Sequence, residues 1–134
     1  MTLSKNGKVL AVLLLVFVFC DILLSPLGFE TREKAILGNA ASLPWLGLLF
    51  GGLILNIISL IILSFRARIS SLLSIVGSIA YIAVLIGDQA GLVVSVRPPP
   101  LITDVEIVTF FVLLAALFYA SRVYRESHAG IISH

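Results

Sequence analysis

The chain has 134 residues, of which 60% are hydrophobic and only 12% are charged. Its mean hydropathy of +1.17 excludes an ordinary soluble enzyme and a disordered chain, because soluble domains carry about 25% charged residues. Nine Lys and Arg against seven Asp and Glu give a net charge of +2, which argues against a nucleic-acid-binding protein. A helix needs about 20 apolar residues to cross a bilayer, so this length allows about four spans with short loops.

Four apolar stretches of spanning length follow one another along the chain. They predict transmembrane helices over residues 9–29, 43–65, 69–94 and 103–122. The segments between and after them are an outer loop at 30–42, a proline-rich outer loop at 95–102 and a tail at 123–134. Because the loops are short, the predicted fold is an all-α membrane protein, a single domain whose four helices form an up-down-up-down antiparallel bundle. The first stretch lacks a small-x-small cleavage site, so we expect an uncleaved helix rather than a signal peptide.

Basic residues near the ends of the spans predict the orientation of the bundle. Six of them flank the side that holds both termini: Lys5, Lys8, Arg66, Arg68, Arg122 and Arg125. Three flank the opposite side: Arg32, Lys34 and Arg97. The excess of six over three predicts that both termini are cytoplasmic, and we take the plasma membrane as the default location.

Asp21 is the one acidic residue within the first apolar stretch. It lies about 20 Å along the helix from Lys8, inside the outer half of the membrane. A charge at the bilayer centre costs about 2.5–3.5 kcal/mol, so Asp21 needs a partner, a proton or a wet cavity. The candidate partners are Tyr81, Gln89 and Arg97. A structural hydrogen bond and a functional carboxylate both fit this position.

The second helix carries two faces suited to contact with other helices. Gly47 and Gly51 form a GxxxG motif, which lets two helix backbones approach closely. Asn56 lies on another side of the helical wheel, together with Gly52 and Ser59. One face suits the bundle and the other suits a second copy or a partner subunit, although a four-helix bundle can use both internally.

The third helix carries a polar stripe that is expected to turn toward the bundle interior. Its members are Ser70, Ser74, Gly77, Tyr81, Asp88 and Ser95. Asp88 has two interpretations, because the sequence from Gly87 to Gly91 could end the helix. Asp88 is then either buried within the helix or solvated in a loop.

The fourth helix begins with a pattern typical of a capping box. In this interpretation Thr103 is the N-cap, Glu106 reaches back to its amide, and Asp104 lies near the positive end of the helix dipole. The alternative is a functional outer acidic cluster that attracts cations. That cluster would contain Glu30, Glu33, Asp104 and Glu106.

Residues that hold metals and cofactors are scarce in the apolar stretches. Both histidines, His128 and His134, lie in the tail, and Cys20 is the only cysteine. Cysteine pairs of the kind found in tetraspanins, claudins and thiol-oxidising quinone reductases therefore cannot form. We expect no cofactor, no metal site and no catalytic residue.

Three functions are consistent with these features. The favoured one is a non-catalytic accessory or structural subunit of a larger membrane complex, with the bilayer and other membrane subunits, or a second copy, as partners. The alternative is a small proton- or cation-coupled transporter that uses Asp21 as its coupling carboxylate, with Asp88 and Asn56 along the path. A third is a lipid-modifying enzyme with a divalent cation at the outer acidic cluster.

Overall fold

The computed structural model describes the backbone of residues 5–37, 43–90 and 100–128, and the side chains of residues 5–22, 44–90, 100 and 103–127. The described residues form four helices and no strand, which confirms the all-α class. The helices are α1 (Lys5–Leu37), α2 (Leu43–Ile62), α3 (Ala67–Gln89) and α4 (Pro100–His128).

Three segments of the described chain are long and apolar enough to cross a membrane. They are Pro44–Ile62, Ala67–Gln89 and Thr103–Ser127, with mean hydropathies of 2.3, 2.3 and 1.9. These segments correspond to the second, third and fourth predicted spans. The crossing of the membrane by α1 stays a prediction.

Two helices are longer than expected. The backbone of residues 30–37 is helical, so most of the predicted outer loop at 30–42 belongs to α1. This run contains no Gly or Pro before Gly38, and residues such as Glu, Arg, Lys, Ala and Leu favour a helix in water as well as in lipid. Likewise α4 continues through His128, so the predicted tail at 123–134 begins too early. Val123 is fully buried, and its packing against other helices extends α4 beyond its most apolar part.

The second and third helices are shorter than expected. Helix α2 ends at Ile62, where the N–H groups of Phe65 and Arg66 both donate to the Ile62 carbonyl at 3.0 and 2.8 Å. Helix α3 begins at Ala67 and ends at Gln89, and Ala90 forms its C-cap. The predicted end at residue 94 is therefore wrong, because the helix stops between the two glycines of the 87–91 segment.

The helices pack in the order α2 on α3, α3 on α4 and α4 on α1, whereas α1 and α2 meet less extensively. The beginning of α1 meets the end of α4, where the Asn6 amide donates to Glu126 at 3.2 Å. The end of α3 meets the beginning of α4, where Gln89 contacts Glu106. At the end of the bundle that holds Asn6 and Glu126, the Arg68 guanidinium lies over the Tyr124 ring at 5.6 Å.

Polar groups lie inside this bundle and large apolar side chains lie outside. Each helix turns such a side chain outward, and Phe19, Ile61, Val76 and Phe111 are 57–64% exposed. Meanwhile several Ser, Asn, Asp and Glu side chains are buried. A soluble helical bundle has the opposite distribution, so this arrangement suits a hydrocarbon environment.

Candidate functional site

A polar seam joins α2 and α3. We define it by residues that are all buried: Gly52, Asn56, Ser59, Ser70, Ser74, Gly77 and Ser78. A Cβ atom added to Gly52 would lie 2.7 Å from the Gly77 carbonyl oxygen, and one added to Gly77 would lie 2.9 Å from the Gly52 carbonyl oxygen. The two backbones therefore touch here, and no larger residue fits at either position without a shift.

Two serines in the seam bond reciprocally across the interface. The Ser59 hydroxyl donates to the Ser70 carbonyl at 2.7 Å, and the Ser70 hydroxyl donates to the Ser59 carbonyl at 2.6 Å. Ser59 pairs with Ser70 and Gly52 with Gly77, so α2 and α3 run in opposite directions. Both serines are fully buried, and their partners lie within the same interface.

Asn56 occupies the middle of the seam and is fully buried. Its side-chain amide donates to the Gly52 carbonyl at 3.0 Å. Its side-chain oxygen accepts from Ser74 at 3.1 Å and from Ser78 at 3.4 Å. All these partners belong to the seam, so the Asn56 side chain bonds within the α2–α3 interface.

Asp21 and Tyr81 meet inside the bundle, where α1 approaches α3. The Tyr81 hydroxyl donates to Asp21 Oδ1 at 2.5 Å, and the two residues are 0 and 6% exposed, respectively. Phe17 packs edge-on against the Tyr81 ring, with 4.7 Å between the ring centroids. Of the candidate partners of Asp21, Gln89 instead donates to Glu106, and Arg97 lies outside the described residues.

Three carboxylates are buried in the same part of the bundle, which we call the acidic end: Asp21 on α1, Asp88 on α3 and Glu106 on α4. Asp88 is 7% exposed and belongs to the last turn of α3, so it is not a solvated loop residue. Glu106 accepts a hydrogen bond from the Gln89 amide and is close enough to Tyr81 to interact with it electrostatically.

The predicted capping box at Thr103 is wrong. Helix α4 begins at Pro100, a residue that is well suited to the first helical position, so Thr103 lies within the first turn. Glu106 is only 6% exposed and faces Gln89, so it is not part of an exposed acidic cluster. Asp104 is exposed, whereas the side chains of Glu30 and Glu33 lie outside the described residues.

The GxxxG motif points away from the bundle. Outside the neighbouring turns of α2, no atom of the described residues lies within 4 Å of a Cβ added to Gly47 or Gly51. Ile54 and Ile58 follow at helical spacing and are 53 and 40% exposed. We call this surface, formed by Gly47, Gly51, Ile54 and Ile58, the outer α2 face. It lies on the opposite side of α2 from the seam.

Two contacts that join neighbouring helices were not expected from the sequence. The Trp45 ring covers Gly87, where an added Cβ would lie 2.8 Å from the ring. The Gln89–Glu106 pair joins α3 to α4. The sequence signal for the first contact is an aromatic residue near the start of α2 and a glycine near the end of α3. The second contact depends on how α4 is rotated about its own axis, and the sequence does not show that rotation.

Within the described part of the chain, no group of three or more His, Cys, Asp or Glu side chains is arranged to hold a metal ion. The chain matches no protein-family model, no curated protein and no solved structure.

Proposed function

We propose that this chain is a non-catalytic accessory or structural subunit of a larger complex in the plasma membrane. One observation carries this proposal. The polar side chains of the seam bond to one another, while on the outer α2 face a Cβ added to either glycine of the GxxxG motif would meet no described residue outside the neighbouring turns of α2. Small residues at a membrane-exposed helix surface are suited to close contact with another helix.

The proposed bundle has four spans in an up-down-up-down arrangement, with α1 as the first. Helix α1 has 33 residues and is therefore about 50 Å long, more than a bilayer core requires. Between Val12 and Ile22, its exposed side chains are all apolar and include Leu15 and Phe19. These features support a lipid-facing α1.

The proposed orientation has both termini in the cytoplasm. The basic residues whose side chains are described gather at the end of the bundle where α1 begins, α2 turns into α3, and α4 ends. They are Lys5, Lys8, Arg66, Arg68, Arg122 and Arg125, and all are exposed. Labelling with a membrane-impermeant thiol reagent tests this in a Cys20→Ser background. Asp104→Cys is expected to react from outside, whereas Lys5→Cys and Arg125→Cys are not. Reaction of Lys5→Cys from outside would contradict a first span.

Extraction of the native complex in mild detergent tests the subunit role. We expect the chain to purify with other membrane subunits at a fixed stoichiometry. Gly51→Leu fills the outer α2 face and is expected to release the chain from the complex without unfolding it. Ala83→Leu is the matched control, because Ala83 is an exposed small residue on α3. Isolation of the wild type only as a monomer or a self-dimer would contradict the proposal.

A small proton- or cation-coupled transporter is the second candidate, and the acidic end favours it. Three buried carboxylates from three helices lie there, and one of them borders an open groove. Asp21 would exchange a proton for a cationic substrate. In proteoliposomes, Asp21→Asn is then expected to abolish proton-driven uptake, while Asp104→Asn leaves it intact. Transport that survives Asp21→Asn would exclude this mechanism.

A further inference from the structure

A groove of about 580 Å³ opens on the surface of the bundle between the end of α3 and the beginning of α4. Its volume lies within the range of pockets that bind small organic molecules. Its walls include Ile86, Ile107 and Phe111, which are 56, 49 and 63% exposed. These apolar side chains lie on the outer surface of two segments that are long and apolar enough to cross a membrane, so a ligand would enter the groove directly from lipid.

Among the described residues that line this groove, Gln89 and Glu106 have polar side chains. Glu106 is the only ionisable one of these described lining residues, and its side chain is buried. The Gln89 amide donates to one oxygen of the Glu106 carboxylate, which fixes the orientation of the carboxylate. When ionised, this carboxylate attracts a positive group more strongly next to apolar walls than it would in water, because the local dielectric constant is low.

Two aromatic rings in the groove also favour the binding of a cation. Phe110 and Phe111 both line the groove, and their ring centroids lie 5.7 Å apart in an edge-to-face arrangement. The face of an aromatic ring attracts a cation, and its hydrocarbon surface packs against apolar groups. An anionic lipid headgroup would instead meet the carboxylate of Glu106 and be repelled.

We propose that this groove binds a hydrophobic organic cation that enters from the lipid. The positive group lies next to Glu106, and the apolar part packs against Ile107 and Phe111. Gln89 acts as a positioning residue, because it holds the carboxylate and contributes no charge. This site is independent of the outer α2 face, so it stands whether the chain is a complex subunit or a transporter.

Binding of tetraphenylphosphonium to the full chain in lipid nanodiscs tests this site. We expect saturable binding at one site per chain. Tetraphenylborate, which has nearly the same size but the opposite charge, is expected to partition into lipid without saturable binding. Glu106→Gln keeps the shape of the side chain and removes the charge, so it is expected to weaken tetraphenylphosphonium binding by at least about tenfold.

Asp104→Asn is the matched control, because Asp104 is an exposed acid on the same helix and does not line the groove. We expect its affinity to stay within about twofold of the wild type. Phe111→Ala changes an exposed wall residue, and it keeps the test decisive if Glu106→Gln does not fold. Its expected loss of affinity is about threefold to tenfold.

Three results would overturn the proposal. They are the absence of saturable tetraphenylphosphonium binding, equal affinity in wild type and Glu106→Gln, and an equal loss in Asp104→Asn. None of them bears on co-purification through the outer α2 face, so this inference and the proposed subunit role can fail separately.

Discussion

The polar seam between α2 and α3 holds uncharged side chains, whereas the acidic end, where α1, α3 and α4 meet, holds three carboxylates. In the seam the donors and acceptors come from two helices that are neighbours in sequence, joined by the short turn after Ile62. At the acidic end the partners are far apart in sequence, as with Asp21 and Tyr81. The seam excludes any larger residue at its glycines, while the acidic end borders an open groove.

This difference separates a structural region from one that can take part in binding. Uncharged groups that bond to each other at close backbone approach hold two helices together at a modest cost. Buried carboxylates are more expensive in a membrane, and their charge is available to a proton or a cation. Substitutions in the seam should therefore change stability, and those at the edge of the acidic end should change ligand affinity more than stability.

The largest expected effect is that of Gly77→Leu, which breaks the seam. The new side chain would overlap the Gly52 carbonyl and the Leu55 side chain, so we expect a destabilisation of more than about 3 kcal/mol. Unfolding in a mixed-detergent titration measures it. Gly47→Leu introduces the same side chain into open space and is expected to leave the unfolding free energy of the isolated chain nearly unchanged. Equal stability of the two variants would show that the α2–α3 contact is not as described.

Tyr81→Phe is the next largest change, and it acts on the acidic end. It removes the hydroxyl that donates to Asp21 and leaves a buried carboxylate with one donor fewer, at a cost of about 1–3 kcal/mol. The same titration compares it with Tyr119→Phe, which removes a hydroxyl from a partly buried tyrosine on α4. A loss of stability no greater than that of the control would mean that the Asp21–Tyr81 contact does not stabilise the folded chain.

The smallest expected effect is that of the reciprocal serine pair. A double-mutant cycle of Ser59→Ala and Ser70→Ala is expected to give a coupling energy of about 0.6 kcal/mol, typical of hydrogen bonds between membrane helices. Ser121→Ala serves as a reference, because the Ser121 hydroxyl donates to the Leu117 carbonyl within its own helix. A coupling energy of zero would show that this serine pair does not stabilise the α2–α3 contact.

Much of the seam could be predicted from the sequence, because it depends on the periodicity of single helices. The spacing of Ser70, Ser74 and Gly77 on one helix, and the shared side of Gly52 and Asn56 on another, already indicate which faces meet. Hydropathy likewise identifies the apolar part of each helix.

The acidic end and the helix ends were harder to predict for physical reasons. Hydropathy reports where an apolar stretch ends, but a helix can continue beyond that point when its residues favour it, as at residues 30–37 of α1. Glu106 fits a local capping pattern, yet the start of α4 at Pro100 and the contact with Gln89 place its side chain elsewhere. The GxxxG motif indicates close packing but not the partner, and Gly47 and Gly51 lie opposite the seam.

Photo-crosslinking in the native membrane tests the proposed subunit role most directly. A photoreactive amino acid at Ile54 lies on the outer α2 face, and one at Val76 lies on an exposed surface of α3. The expected result is that Ile54 crosslinks to a second membrane protein, that Gly51→Leu abolishes this product, and that Val76 gives lipid adducts. Crosslinks from Ile54 only to lipid, or only to another copy of this chain, would contradict a subunit role.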